Sequence, residues 1–137
     1  MDIRYVGDVT LENYLHPKKT FPAKQMVWMR ANEALSNDVR LHQCIAAYAT
    51  DQLILSTSLL PAGLTFTSPK IALMASLDHC VWFHAPFRAD EWLLYEMNSP
   101  WADNARGLGF GRVFTQNGQL VVSCAQEGVI REKSSKI

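Results

Sequence analysis

Long apolar runs, an excess of one charge and paired cysteines are all missing from this 137-residue sequence. No stretch approaches the roughly 20 apolar residues of a membrane-spanning helix, and Asp2 and Arg4 stand where a secretory signal would be apolar. A soluble, unsecreted protein without a membrane span is expected. The 13 basic residues balance 13 acidic ones, and only Lys18 and Lys19 are adjacent outside a small cluster at the tail. That scatter argues against nucleic acid, whose binders carry a basic stripe. The three cysteines, Cys44, Cys80 and Cys124, are odd in number, far apart and embedded in apolar text. They read as buried reduced thiols, not as a disulfide framework or a metal site. No metal and no cofactor is expected. With 48% apolar and 19% charged residues, the composition is that of one ordinary globular domain.

Residues 2–6 alternate polar and apolar, as a half-buried strand does, and Gly7 ends them. From Thr10 to Lys24 the polar, proline-containing text suggests an irregular connection, followed by a second strand over 25–31. Asn37 or Asp38 can cap a helix in which Leu41, Cys44, Ile45, Tyr48, Ala49, Leu53 and Leu55 recur at helical spacing until Pro61-Ala62-Gly63. This segment is apolar on nearly every side, which predicts one long helix enclosed by a sheet. Strands are then expected over 71–83, 91–97, 107–115 and 119–130. Asn117-Gly118 marks a hairpin between the last two, with both residues at positive φ in a type I′ turn. Two strands, one long central helix and four strands make an α+β order in which an antiparallel sheet wraps the helix, the hotdog arrangement. It forms a single domain over 1–131, with 132–137 as a polar tail.

Asp51 stands with Thr50 and Gln52 inside the otherwise apolar helical segment. A carboxylate there is costly unless it is hydrogen-bonded or used. Two readings stand: the Thr50-Asp51-Gln52 face reaches solvent or a subunit contact, or Asp51 does chemistry. Side chains two apart on a strand share a face. Ser76 therefore lies with Ala72, Met74, Asp78 and Cys80, and Gln126 with Leu120, Val122 and Cys124. If both faces look inward, an Asp, a hydroxyl and an amide converge and can orient one water. Asp78-His79, with His84 beyond, could suggest an acid–base pair or metal ligands. Neighbours on a strand point to opposite faces, however, so structural hydrogen bonding near a loop fits them better, and they stand second in rank. Gly107, Gly109 and Gly111 lead into a strand, not from a strand into a helix, so bulges or close backbone approach explain them better than a phosphate loop.

The run from Ser76 through Tyr95 closely resembles the C-terminal half of the acyl-CoA thioesterase II family, peroxisomal members included. So do Arg106-Gly107-Leu108, Gly111-Arg112, 115–118, Ala125-Gln126-Glu127-Gly128 and the helical stretch His42 to Asp51. The resemblance implies a hotdog domain from a double-hotdog enzyme that hydrolyses fatty acyl-CoA to fatty acid and coenzyme A. It also implies that Asp51, Ser76 and Gln126 together activate the attacking water. Because the family's first half is missing, a homodimer or higher oligomer replacing it is expected. A non-catalytic assembly or acyl-binding half is the alternative. A hotdog dehydratase ranks below both, since Asp78-His79 does not supply the paired Asp and His it needs. The closing Ser-Lys-Ile resembles the peroxisomal address Ser-Lys-Leu, which implies a peroxisomal location and an import receptor as partner.

Overall fold

The computed structural model describes residues 1–133; the Ser-Lys-Ile ending lies outside the described residues. Strand β1 (Asp2–Val6) is followed by helix α1 (Leu11–Leu15), β2 (Lys24–Arg30), α2 (Val39–Asp51), α3 (Ile54–Thr57) and a 3₁₀ turn (Leu60–Ala62). Five strands then follow: β3 (Ile71–Ser76), β4 (Cys80–Phe83), β5 (Leu93–Asp103), β6 (Arg106–Thr115) and β7 (Leu120–Glu132). The expected irregular connection thus holds a short helix, started by Thr10, whose hydroxyl accepts from the Asn13 N–H at 3.2 Å. The last strand runs to Glu132, past the expected domain edge at residue 131.

All strands pair antiparallel in one seven-stranded sheet of order β1-β2-β5-β6-β7-β3, with β4 also on β7. Its inner face contributes Val27, Met29, Leu93, Tyr95, Met97, Val113, Val122 and Cys124 to the core, packed on Ala46, Ala49 and Ile54 of the helices. At one edge, Arg4 and Arg30 both lie over the Trp92 ring, 4.4 and 4.6 Å from its centroid, tying β1 and β2 to the start of β5. A curled antiparallel sheet with one long helix fits the hotdog class expected from the sequence.

Several expectations need correction. The helix does not run on to Pro61: α2 ends at Asp51, and Leu53, at φ 68°, turns the chain into α3. A non-glycine residue in that region costs about 1–2 kcal/mol, so packing must impose it. Here Ile54, Leu55, Ser56 and Thr57 are all buried, and burying Ile54 alone is worth about 1.5–3 kcal/mol. The enclosed helix is therefore α3. On α2 only His42, Ala46, Ala49 and Thr50 are buried, a single stripe at helical spacing, while Val39, Leu41, Cys44 and Tyr48 are exposed. Cys80 is exposed as well, so only Cys124 is a buried thiol, although all three cysteines are free as expected.

The strand expected over 71–83 is interrupted. Ser76 pairs with Gly128 and Cys80 with Ala125, so residues 77–79 face only two residues of β7. One extra residue bulges there, the Leu77 and Asp78 N–H groups both donating to the Glu127 carbonyl. The final hairpin forms where expected, but only Gly118 has positive φ (85°). The Gly118 N–H donates to the Thr115 carbonyl at 2.9 Å, the pattern of a type I turn followed by a glycine bulge. Positive φ at two successive residues occurs instead at Asn104 (48°) and Ala105 (57°), between β5 and β6. The glycines of β6 mark close approach: a Cβ on Gly109 would lie 2.7 Å from the Ile54 side chain, and one on Gly111 would lie 2.5 Å from the Tyr95 ring.

Candidate active site

Asp51 is the last residue of α2, at the negative end of the helix dipole. A carboxylate in that place is unfavourable by about 0.3–1 kcal/mol, so stability alone does not select it. Two groups from the sheet offset it. The Gln126 amide, from β7, donates to Asp51 Oδ1 at 2.8 Å. The Ser76 hydroxyl, at the end of β3, donates to the same oxygen at 3.4 Å. Gln126 Nε2 also donates to Ser76 Oγ, closing a triangle. The three side chains named from the sequence are thus brought together, across sequence separations of 25, 50 and 75 residues.

The arrangement leaves an acceptor free. Gln126 is only 1% exposed, and its Oε1 has no hydrogen-bond partner among the described residues. Both hydrogens of its amide are taken, one by Asp51 and one by Ser76. Asp51 and Ser76 are themselves exposed, as the solvent-facing reading of Asp51 expected. These groups border a cavity of ≈ 230 Å³ whose other walls include Tyr14, Leu55, Phe66 and Met74. A polar corner thus opens on a hollow walled by polar and apolar groups alike. The site is suited to hold a small proton donor such as water beside an apolar group.

The second-rank residues lie elsewhere in the network. Asp78 Oδ1 accepts from the Glu127 N–H at 2.8 Å, replacing a ladder partner where β3 gives way to β4. His79 Nε2 lies 3.3 Å from Thr50 Oγ1, one residue before Asp51 along the chain. His84 Nε2 lies 2.8 Å from Ser123 Oγ. Among the described residues no three His, Cys, Asp or Glu side chains gather as metal ligands do, and no helix is long and apolar enough to cross a membrane.

Sequence reasoning missed Gln25 and Tyr95, which hold the chain on either side of Asp51. Gln25 Nε2, from β2, donates to the Leu53 carbonyl at 3.2 Å and to Thr57 Oγ1 at 2.7 Å, pinning the left-handed residue. The Tyr95 hydroxyl, from β5, donates to the Thr50 carbonyl at 2.7 Å. Gln25 is 4% exposed and Tyr95 fully buried. The available signal was a long amide and a phenol on the inward positions of two strands, where an aliphatic side chain would pack without needing a partner.

A family model described as acyl-CoA thioesterase matches residues 5–129. Acyl-coenzyme A thioesterase 8 of Mus musculus is 53% identical over 134 residues, covering 97% of this chain and 40% of that protein. The peroxisomal acyl-coenzyme A thioester hydrolase 1 of Saccharomyces cerevisiae is 28% identical over 95 residues, covering 69% of this chain and 27% of that protein. Among solved structures, the acyl-CoA thioesterase II TesB2 of Mycobacterium marinum superposes with a TM-score of 0.81 at 38% identity, over 97% of this chain and 49% of that one. The chain spans less than half the length of each.

Proposed function

The chain belongs to the acyl-CoA thioesterase family, and from that premise we propose that it hydrolyses fatty acyl-CoA thioesters to a free fatty acid and coenzyme A. The observation that supports this reading is the convergence of Asp51, Ser76 and Gln126 on a cavity with both polar and apolar walls. A water donating a hydrogen to the Asp51 carboxylate would have its lone pair turned toward a thioester carbonyl beside it. Attack forms a carbon–oxygen bond as Asp51 takes the water proton. Collapse breaks the carbon–sulfur bond, the electron pair leaves on sulfur, and the proton passes to the thiolate. A thiol of ordinary pKa near ~8.5 leaves with little acid assistance, so orienting and deprotonating water is the main task. The Ser76 hydroxyl and Gln126 amide hold the carboxylate in one rotamer.

Several large apolar side chains of the chain stand exposed. Tyr48 is 68% exposed, and Leu73 and Leu77, to either side of Ser76, are 52% and 56% exposed. Trp82 on β4 is 52% exposed. Such a surface calls for a cover. A second hotdog is the cover proposed, supplied for the chain as given by a second copy in a homodimer. A location in the peroxisome is supported by the yeast relative, whose name carries that compartment.

The test is release of free thiol from medium- and long-chain acyl-CoA by the purified chain and by Asp51→Asn, with the oligomeric size measured on the same samples. Turnover by a dimer, lost by about 10²–10⁴-fold in Asp51→Asn, is expected. Undiminished turnover in Asp51→Asn would remove Asp51 from the mechanism. A folded dimer without turnover would favour a non-catalytic, acyl-binding half.

A further inference from the structure

An α-helix leaves its last carbonyls without partners, and what satisfies them decides how firmly the final turn is held. At the end of α2 the Ala49 carbonyl accepts from the Gln52 N–H at 3.1 Å. The next carbonyl, that of Thr50, belongs to the peptide whose nitrogen is that of Asp51. It accepts from the Tyr95 hydroxyl at 2.7 Å, deep in the core, where Tyr95 is 0% exposed. A buried phenol aimed at the backbone of the one residue that carries a carboxylate into the site is more than packing. We infer that Tyr95 is a positioning residue for hydrolysis: through the Thr50 carbonyl it sets the direction in which the Asp51 side chain leaves the helix. The inference rests on the thioesterase reading of the site.

The hydroxyl is itself held in one orientation. Cys124 Sγ lies 3.4 Å from the Tyr95 oxygen. A phenol has one hydrogen, which goes to Thr50, so the contact with sulfur must be the thiol donating to the phenol. Burial pushes both groups above their ordinary pKa, so each keeps its proton. The result is a relay of fixed hydrogens from Cys124 to Tyr95 to the Thr50 carbonyl. Gly111 makes room for it: a Cβ there would stand 2.6 Å from the Cys124 sulfur and 2.8 Å from the Tyr95 oxygen. On the far side of the helix break, Gln25 holds the Leu53 carbonyl. Asp51 is thus pinned at the peptide before it and two residues after it by side chains that do not line the cavity.

Removing the Tyr95 hydroxyl should let the Asp51 backbone shift by a fraction of an ångström without altering the cavity walls. The expected result for Tyr95→Phe is kcat lower by about 10–100-fold, with KM within about twofold of wild type. The Asp51 carboxyl carbon resonance in 13C-labelled protein should move as well, a readout that does not depend on turnover. Cys124→Ser keeps a donor to the phenol and should stay near wild type, whereas Cys124→Ala should lose part of kcat. If Tyr95→Phe does not fold, this Ser and Ala pair gives the same reading. Wild-type kcat and an unmoved Asp51 resonance in Tyr95→Phe, alongside an inactive Asp51→Asn, would overturn the positioning role and leave the hydrolytic reading standing. Full turnover in Asp51→Asn would overturn both. Equal loss in Cys124→Ser and Cys124→Ala would overturn the relay.

Discussion

At its N-terminal end α2 is fastened by polar groups that are satisfied on every side, whereas at its C-terminal end it carries a carboxylate against its own dipole and stops at a strained residue. Asp38 accepts from the Arg40 N–H at 3.0 Å, as a helix cap does. His42 is buried, its Nε2 2.9 Å from the Ser36 carbonyl, while its Nδ1 accepts from the Ala89 N–H at 3.0 Å. Asp90 takes two hydrogen bonds from Arg88 and one from the Leu35 N–H. Arg88 reaches on to Asn37 and to the Leu35 carbonyl. At the other end stand Asp51, Leu53 at φ 68° and an amide oxygen of Gln126 without a partner. One end satisfies its polar groups; the other carries a carboxylate and a left-handed residue against the helix rules. The contrast teaches where to look for chemistry: on a single helix, function sits where the stability rules are broken and the neighbouring core holds the break in place.

Substitutions that remove groups from one end at a time should separate activity from stability. The largest effect is expected for Gln126→Met, which keeps the volume and removes the amide: thiol release should fall by about 10²-fold or more. Its melting temperature should hold, because a buried unpartnered oxygen goes with the amide. A loss of stability as large as the loss of turnover would erase the contrast. Next is His42→Leu at the opposite end, which leaves the Ala89 N–H and the Ser36 carbonyl unpaired. It should destabilise by about 2 kcal/mol, a drop of roughly 5–10 °C in thermal melting, with kcat unchanged.

Acid should loosen the same end. Arg88 beside Asp90 holds its carboxyl down at about 2, and the Arg40 side chain lowers that of Asp38. A carboxyl depressed in the fold stabilises it above the unfolded value, near ~3.9, and loses that contribution as pH falls through the folded value. Arg88→Ala should therefore be less stable than wild type at about pH 6, with the difference shrinking between about pH 4 and 2 in parallel denaturant curves. The smallest expected effect is that of Asp38→Asn, which keeps a capping oxygen and loses only the charge. Its melting temperature should fall by less than that of His42→Leu.

The strands and the three site side chains were legible because period-two faces and a carboxylate in apolar text are local features. Where the chain was not legible, a distant group decides. Nothing in Gln52-Leu53 signals a helix stop; Leu53 adopts its left-handed turn because Ile54 and Leu55 must be buried and because Gln25, on β2, holds its carbonyl. The burial of α2 was overread because its apolar residues lie on two faces, of which the sheet covers only one. Asn117-Gly118 correctly announced a hairpin, but the residue count between the strands chose a bulged turn, while Asn104-Ala105 took two positive φ values without any glycine. Tyr95 looked like one more core aromatic, since a hydroxyl's target on another element leaves no mark in sequence spacing.

The order of strands also has a consequence for how the molecule assembles. β5, β6 and β7 form a continuous meander of neighbouring hairpins, whereas β2 must find β5 across α2, α3, β3 and β4. Closing short loops first costs less chain entropy, so the meander is expected to form early and to wait for the rest. It brings Gln126, Tyr95 and Cys124 into place, yet Asp51 and Ser76 come from the segment that docks afterwards. After dilution from denaturant, the proposed turnover should then return with the final kinetic phase, later than the first rise in sheet signal, so that thiol release would time the last step of folding.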